Sequence, residues 1–191
     1  MNSKASLLKH GFGAKAERIA ETCRKDMRLS KFDPLCAFKL ADHRDVLVID
    51  VSVLGLPVHT LGYLHGNLLP KKQWDAVTII GVDGKHRVIH NDTCSPARQQ
   101  SNVMHEMAHV ILEHQHEGED YSLGFPVRVY NEVHEAEAEY LGGVLQLPRP
   151  ALMWRTKQQW PYEQIATTYG ASIDMVTYRI RLSGVAKIRG L

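Results

Sequence analysis

The five residues from His105 to His109, His-Glu-Met-Ala-His, constrain the fold of this chain more than any other stretch. Residues four apart lie above one another on a helix face, so both imidazoles can reach one ion if the stretch is helical. Two histidines and a third protein ligand around Zn²⁺ leave one position for water, whose pKa the metal lowers. Glu106 is placed to take a proton from that water and pass it to a leaving amine. The motif predicts a helix with a metal site.

The residues around the motif favour this interpretation over a surface helix with solvated His and Glu side chains. Ser95 and Pro96 are typical of an N-cap residue and of the first residue of a helix. Apolar residues then recur at helical spacing and predict a buried face: Val103, Met107, Val110 and Ile111. We therefore expect one helix from Pro96 to about His114.

Length and composition predict a globular protein with one good-sized core. The chain has 191 residues, of which 44% are hydrophobic and 23% charged. The net charge of +2 is too small to imply a strongly electrostatic role in nucleic-acid binding. Cys23, Cys36 and Cys94 form no CxxC pair, which argues against a disulfide framework or a zinc ribbon and favours free thiols in a reducing compartment.

No apolar run near the N-terminus has the length of a signal peptide, and no stretch approaches the length of a membrane span. We therefore expect a cytoplasmic protein without a membrane partner. A secreted digestive protease is disfavoured.

Several elements are predicted before the motif. Residues 14–28 have the period of a helix, a shorter helix follows at 35–41, and the β-branched residues of 46–51 indicate a buried strand. Residues 55–72, rich in Gly, Pro and His, are predicted to be irregular.

A β-hairpin is predicted directly before the metal helix. Its strands are residues 74–80 and 86–91, and Asp83-Gly84 between them is typical of a tight turn. An edge strand beside a metal site can pair with an extended peptide through backbone hydrogen bonds. A hairpin that only covers the core is an equal alternative.

His114 and His116 have no partner at a helical spacing that would place them in the site of His105 and His109. We treat them as solvated or as supporting residues. Residues 115–131 show no sustained period and are predicted to form a loop that borders the site as a lid or a rim.

A third metal ligand is expected from the helix predicted between Asn131 and Pro148. Spacing gives Glu132, Glu135 and Glu139 similar claims and Glu137 a weaker one. If one carboxylate binds the ion, another can hold a ligating histidine through its second ring nitrogen.

The chain resembles the ImmA/IrrE family of zinc metallopeptidases, whose pattern joins HExxH to a later helix of the form ExxAxxFAxxLLMP. The second part is similar to the run from Glu135 to Pro148. The resemblance implies that Glu135 is the third metal ligand. Asn91 and Arg98 also match positions of the family that precede the motif. Departures occur at Leu141 for the usual Phe, Gly142 for the usual Ala and Glu139 for the usual Asn or Asp.

The resemblance also implies a fold and an activity. Members have a zincin-like fold, and they commonly relieve repression by cleaving a helix-turn-helix repressor. Others regulate stress responses, and for some no proteolysis is established.

The C-terminal part opens a second possibility. Residues 162–169 and a second segment from Ser172 to about Gly184 predict two short helices about a turn, similar to a helix-turn-helix. The basic residues of this end are Arg179, Arg181, Lys187 and Arg189. We favour a hairpin packed on the catalytic domain over a DNA-binding role, because four basic residues are few for a phosphate grip.

These observations predict an α+β zincin-like metallopeptidase with a small, mostly antiparallel sheet. Residues 1–148 would form the metallopeptidase domain and residues 149–191 a C-terminal helical region. His105, His109 and Glu135 would hold Zn²⁺ and Glu106 would act as the general base of a zinc endopeptidase that cleaves a regulatory protein such as a transcriptional repressor. The alternative is a non-catalytic regulator that binds a repressor or DNA, with zinc structural or absent. The candidates for stabilising an oxyanion are His134, Tyr130 and Tyr140.

Overall fold

The structure, a computed structural model, describes residues 4–66, 74–114, 119–120, 127–128 and 131–190. Short 3₁₀ turns lie at Lys4–Leu7 and Val51–Leu54. The helices and strands are α1 (Phe12–Asp26), α2 (Ala37–His43), β1 (Leu47–Asp50), α3 (Val58–Leu64), β2 (Ala76–Ile80), β3 (His86–His90), α4 (Pro96–Ile111), β4 (Glu119–Asp120), β5 (Val127–Arg128), α5 (Glu132–Gln146), α6 (Arg149–Lys157), α7 (Tyr162–Tyr169), α8 (Ile173–Leu182) and α9 (Val185–Arg189). Within these residues no helix combines the length and the apolar character that crossing a bilayer requires.

The main sheet has three strands in the order β1-β3-β2. β2 and β3 form the predicted antiparallel hairpin, whose register runs from Ala76 opposite His90 to Ile80 opposite His86. β1 pairs with β3 in parallel, from Leu47 opposite Arg87 onwards. The sheet is therefore mixed, and the prediction of a mostly antiparallel sheet holds for the β2–β3 pair but not for β1. The hairpin turn fixes only the local pair, whereas β1 reaches β3 through a long connection that contains α3.

Most predicted elements lie within two residues of the observed ones. The prediction of irregular structure for residues 55–72 is wrong for Val58–Leu64, which form α3, and residues 67–72 lie outside the described part. Two helices were not predicted: α6, which begins at Arg149 with Pro150 in its first turn, and α9. Most of the loop predicted at 115–131 lies outside the described residues, and β4 pairs with β5 inside it.

The core forms where α4 and α1 both pack against α5. Gly142 of α5 makes the contact between the two helices very close. A Cβ added at Gly142 would lie 3.3 Å from both the Cα of His105 and the carbonyl oxygen of Met104. This approach gives a physical reason for glycine where the resembled family usually has alanine. It also fixes the distance between α5 and the helix that carries the motif.

The C-terminal helices are joined to α1 and α5 by buried polar contacts. Arg179 of α8 is fully buried; its Nε donates to the Leu147 carbonyl oxygen at 3.1 Å and its Nη2 to Glu17 at 3.1 Å. Gly143 leaves room for this side chain, because a Cβ there would lie 2.9 Å from the Arg179 Cδ. One of the four basic residues at this end therefore binds the protein itself, whereas Arg181 is exposed. The division of the chain at residue 148 stays a prediction.

Replacing Arg179 by alanine is expected to lower the free energy of unfolding by about 3 kcal/mol, since it leaves a cavity and removes the donors to Leu147 and Glu17. Arg181→Ala is the matched control on the same helix and should change that free energy by less than about 0.5 kcal/mol. Urea unfolding followed by circular dichroism measures both. Equal stabilities of the two variants would contradict the role assigned to Arg179.

Candidate metal centre

Helix α4 carries the motif, and α5 brings a carboxylate to it. The His105 and His109 rings stand one turn apart on α4, with their Nε2 atoms 3.1 Å from each other. Glu135, in the first turn of α5, places Oε2 3.3 Å from the His105 Nε2 and Oε1 3.3 Å from the His109 Nε2. Among the described residues, these three form the one group of His, Cys, Asp or Glu side chains able to hold a metal ion.

The spacing of the donor atoms of these three residues fits zinc. Tetrahedral bonds of about 2.0–2.1 Å to nitrogen and oxygen place neighbouring ligand atoms about 3.3 Å apart. The two Nε2 atoms lie 3.1 Å apart, and each lies 3.3 Å from a different oxygen of the Glu135 carboxylate, close to that value. Two imidazoles and one carboxylate are also a donor set that zinc enzymes use. The residues present therefore fit a zinc ion.

The electrostatics of Glu135 agree with this geometry. Burial alone would raise the pKa of its carboxyl group, but hydrogen bonds and charge interactions with His105 and His109 outweigh burial and hold the pKa well below its usual range. Glu135 is therefore in the charged form that metal ligation requires.

Glu106 is buried beside the metal group, and a residue of the neighbouring strand holds its carboxylate. The Thr78 hydroxyl on β2 donates a hydrogen bond of 2.6 Å to the Glu106 Oε2. Both side chains are almost completely buried. The bond fixes one carboxylate oxygen of Glu106 and so restrains the orientation of the whole group.

A groove of about 410 Å³ runs along these residues. One wall is formed by β2 and the residue before it, and the other by α4. Its lining residues are Asp75, Ala76, Val77, Thr78, Ser101, Asn102, His105, Glu106 and Glu135. β2 is an edge strand of the main sheet, and β5 lies near it.

Asp75 at the groove is held in place from α4. It accepts hydrogen bonds from Arg98 at 2.8 Å and from the Asn102 side chain at 3.0 Å. These contacts tie the start of β2 to the helix that carries the motif.

Asn91 lies between β3 and α4, is fully buried and holds the segment that joins them. Its amide nitrogen donates to the carbonyl oxygens of Leu64 and Trp74, and its oxygen accepts from the backbone and hydroxyl of Thr93. These bonds fix the start of the segment that leads into α4.

The remaining histidines and tyrosines considered near the metal group have different surroundings. His114 is buried and bonded to His109 and Glu137, so the solvated alternative is wrong and the supporting one fits. His116 and Tyr130 lie outside the described residues. The Tyr140 ring packs against Phe12 of α1 and Arg179 of α8, and Tyr140 does not line the groove. His134 stacks on His114.

Thr78 was not predicted as a site residue, and Glu137 had only a weak claim as a metal ligand. A signal for Thr78 existed, since it is the one hydroxyl in the apolar strand Ala76–Ile80 and a buried hydroxyl needs a partner. No sequence spacing connects Glu137 to the metal group, because the connection passes through His114.

A mixed α+β fold with two helical histidines one turn apart, and a carboxylate from the next helix beside them, defines the class of zincin-like metallopeptidases. The model of one peptidase family, described as the IrrE N-terminal-like domain, matches residues 54–181. Because this match covers more than half of the chain, the chain belongs to that family, and the resemblance found in the sequence is confirmed. A search of curated proteins finds no match.

Purified protein is expected to contain about one zinc ion per chain, and Glu135→Ala should lower this content sharply because one of three ligands is lost. Glu132→Ala is the matched control, since Glu132 is an exposed glutamate of the same first turn of α5. Elemental analysis after dialysis measures zinc in all three proteins. Unchanged zinc in Glu135→Ala would show that another residue is the ligand.

Proposed function

We propose that this chain is a zinc-dependent endopeptidase that cleaves a specific regulatory protein, with a helix-turn-helix transcriptional repressor as the substrate class. The observation that carries the proposal is the triangle of His105, His109 and Glu135 donor atoms beside the buried Glu106 carboxylate. Membership of a peptidase family supports proteolysis as the reaction.

His105, His109 and Glu135 would hold the ion. When bound, zinc supplies a Lewis acid and lowers the pKa of a water molecule. Glu106 then accepts the proton of the attacking water and delivers it to the leaving amine. Thr78 donates to one oxygen of Glu106 and so holds the carboxylate in the orientation that proton transfer needs.

The shape of the groove supports a peptide substrate. β2 borders the groove and lies at the edge of the sheet. A substrate in extended conformation can form backbone hydrogen bonds with such a strand and lie alongside the metal group. The repressor as the particular substrate rests on what members of the resembled family commonly cleave.

A non-catalytic regulator would differ from an enzyme in the number of its zinc ligands and in the exposure of its basic side chains. A structural zinc site usually has four protein ligands, whereas three donor residues meet in the described part of this chain. A DNA-binding tail would need its basic side chains exposed. Arg179 is buried against Glu17, which leaves Arg181, Lys187 and Arg189 exposed, too few charges for a strong phosphate grip. Both observations favour the enzyme.

Glu106→Gln tests the proposed reaction. The variant should retain zinc and lose cleavage by at least roughly a hundredfold, because an amide cannot accept the proton. The assay incubates zinc-loaded protein with the purified helix-turn-helix protein encoded nearest to this chain and follows fragments by mass spectrometry. Cleavage by Glu106→Gln at the wild-type rate would contradict the general-base role. Intact substrate with wild-type protein, together with stable binding of that substrate, would favour the regulator.

Thr78→Val is expected to lower the cleavage rate roughly tenfold or more at unchanged zinc content, because a hydrogen bond to a charged group contributes about 1.5–3 kcal/mol. Thr78→Ser keeps the hydroxyl and should restore most of the rate. The two variants are compared in the same fragment assay, with zinc content measured in parallel. Equal rates for valine and serine would show that the hydroxyl does not position Glu106.

A further inference from the structure

We propose that His114 and Glu137 are positioning residues of the metal centre, which fix the ring of His109 so that its Nε2 atom is presented to the ion. The inference rests on the proposed zinc site and extends it by two residues. The His109 Nδ1 lies 2.9 Å from the His114 Nδ1. The His114 Nε2 lies 3.1 Å from the Glu137 Oε2.

The positions of the hydrogens in the row of contacts from His109 through His114 to Glu137 follow from the Glu137 carboxylate, which can only accept. A carboxylate oxygen of Glu137 accepts, so the His114 Nε2 carries the hydrogen and donates it. In a neutral His114 ring, Nδ1 is then the unprotonated nitrogen and accepts from the His109 Nδ1. With its hydrogen on Nδ1, the neutral His109 ring has its lone pair on Nε2, which is the atom that faces His105 and Glu135.

The other tautomer of His114, with its hydrogen on Nδ1, is unfavourable both at His109 and at Glu137. If the His114 Nδ1 donated to His109, the hydrogen of the neutral His109 ring would move to Nε2 and occupy the position that the metal requires. The His114 Nε2 lone pair would also face the lone pairs of the Glu137 carboxylate. The contacts are therefore consistent with one tautomer of each neutral ring, and in its tautomer His109 can bind zinc through Nε2.

The backbone explains how His114 reaches His109, five residues earlier. At the end of α4 the Glu113 amide donates to the Val110 carbonyl oxygen and the His114 amide to the His109 carbonyl oxygen. Glu113 has a φ of 54°. These two bonds and the left-handed residue form a Schellman motif, which turns the chain back over the last helical turn. His114 is thereby returned to the metal face of α4.

Burial and stacking restrain the His114 ring. Its side chain is 4% exposed, and that of Glu137 is 16% exposed. The His134 ring lies parallel to the His114 ring, with centroids 4.2 Å apart and an interplanar angle of 8°. A buried ring with both nitrogens bonded and one face stacked has little freedom to rotate, so it can hold His109 in a single orientation.

The test measures zinc affinity by competition with a chromophoric chelator, which needs no peptide substrate. His114→Leu should bind zinc roughly 10- to 100-fold more weakly than wild type, the usual effect of removing the partner of a ligating histidine. His114→Asn places an amide oxygen near the position of Nδ1 and should recover most of the affinity. Glu137→Gln should weaken binding, whereas Glu132→Gln, the same change at an exposed position of α5, should not.

A second measurement uses the wild-type protein alone. Long-range ¹H–¹⁵N spectra of the zinc-loaded protein distinguish the two imidazole tautomers, and His114 is expected to carry its hydrogen on Nε2. Zinc affinity in His114→Leu equal to that of wild type, or a His114 hydrogen on Nδ1, would overturn the inference while leaving the peptidase proposal intact. Failure of the wild-type protein to bind zinc would overturn both.

Discussion

The close packing of α4 against α5 is the constraint on which the metal centre depends. Two histidines on one helix can approach an ion from one side, and the third donor has to come from another element. Gly142 allows α5 to lie against the backbone of His105 and Met104, and Glu135, two turns earlier on α5, then reaches both imidazoles. Arg179 and Glu17 support the far side of the same helix through Gly143 and Leu147. The site is thus held by contacts that touch none of its donor atoms.

Sequence patterns predicted those parts of the structure that depend on short spacings. The period of residues 96–111 and the Asp83-Gly84 turn are local signals, and α4 and the β2–β3 hairpin formed as expected. The choice of Glu135 among neighbouring glutamates required a longer pattern, since Glu132, Glu135 and Glu139 all lie on one helix with similar spacing. The structure places Glu135 beside His105 and His109, and its role as the third metal ligand stays a prediction.

Features that arise from long-range contacts were not predictable in this way. The parallel partner of β3 is set by a connection rather than by a turn. Thr78 meets Glu106 only because the hairpin packs on α4. His114 appeared unconnected to the metal group because five residues is not a helical spacing, and a change of backbone direction at Glu113 makes the contact possible.

The left-handed conformation of Glu113 links the metal site to the stability of a helix end. A residue with a Cβ atom in this conformation costs roughly 1 kcal/mol relative to glycine. The contact between His109 and His114 offsets that cost, and an ion at the other nitrogen of His109 would strengthen it by holding the ring in place. Coupling of this kind is reciprocal. In the proposed zinc-bound state, filling the site would tighten the last turn of α4, and fraying of that turn would weaken zinc binding. The ion would then act as a remote part of the C-terminal cap of α4.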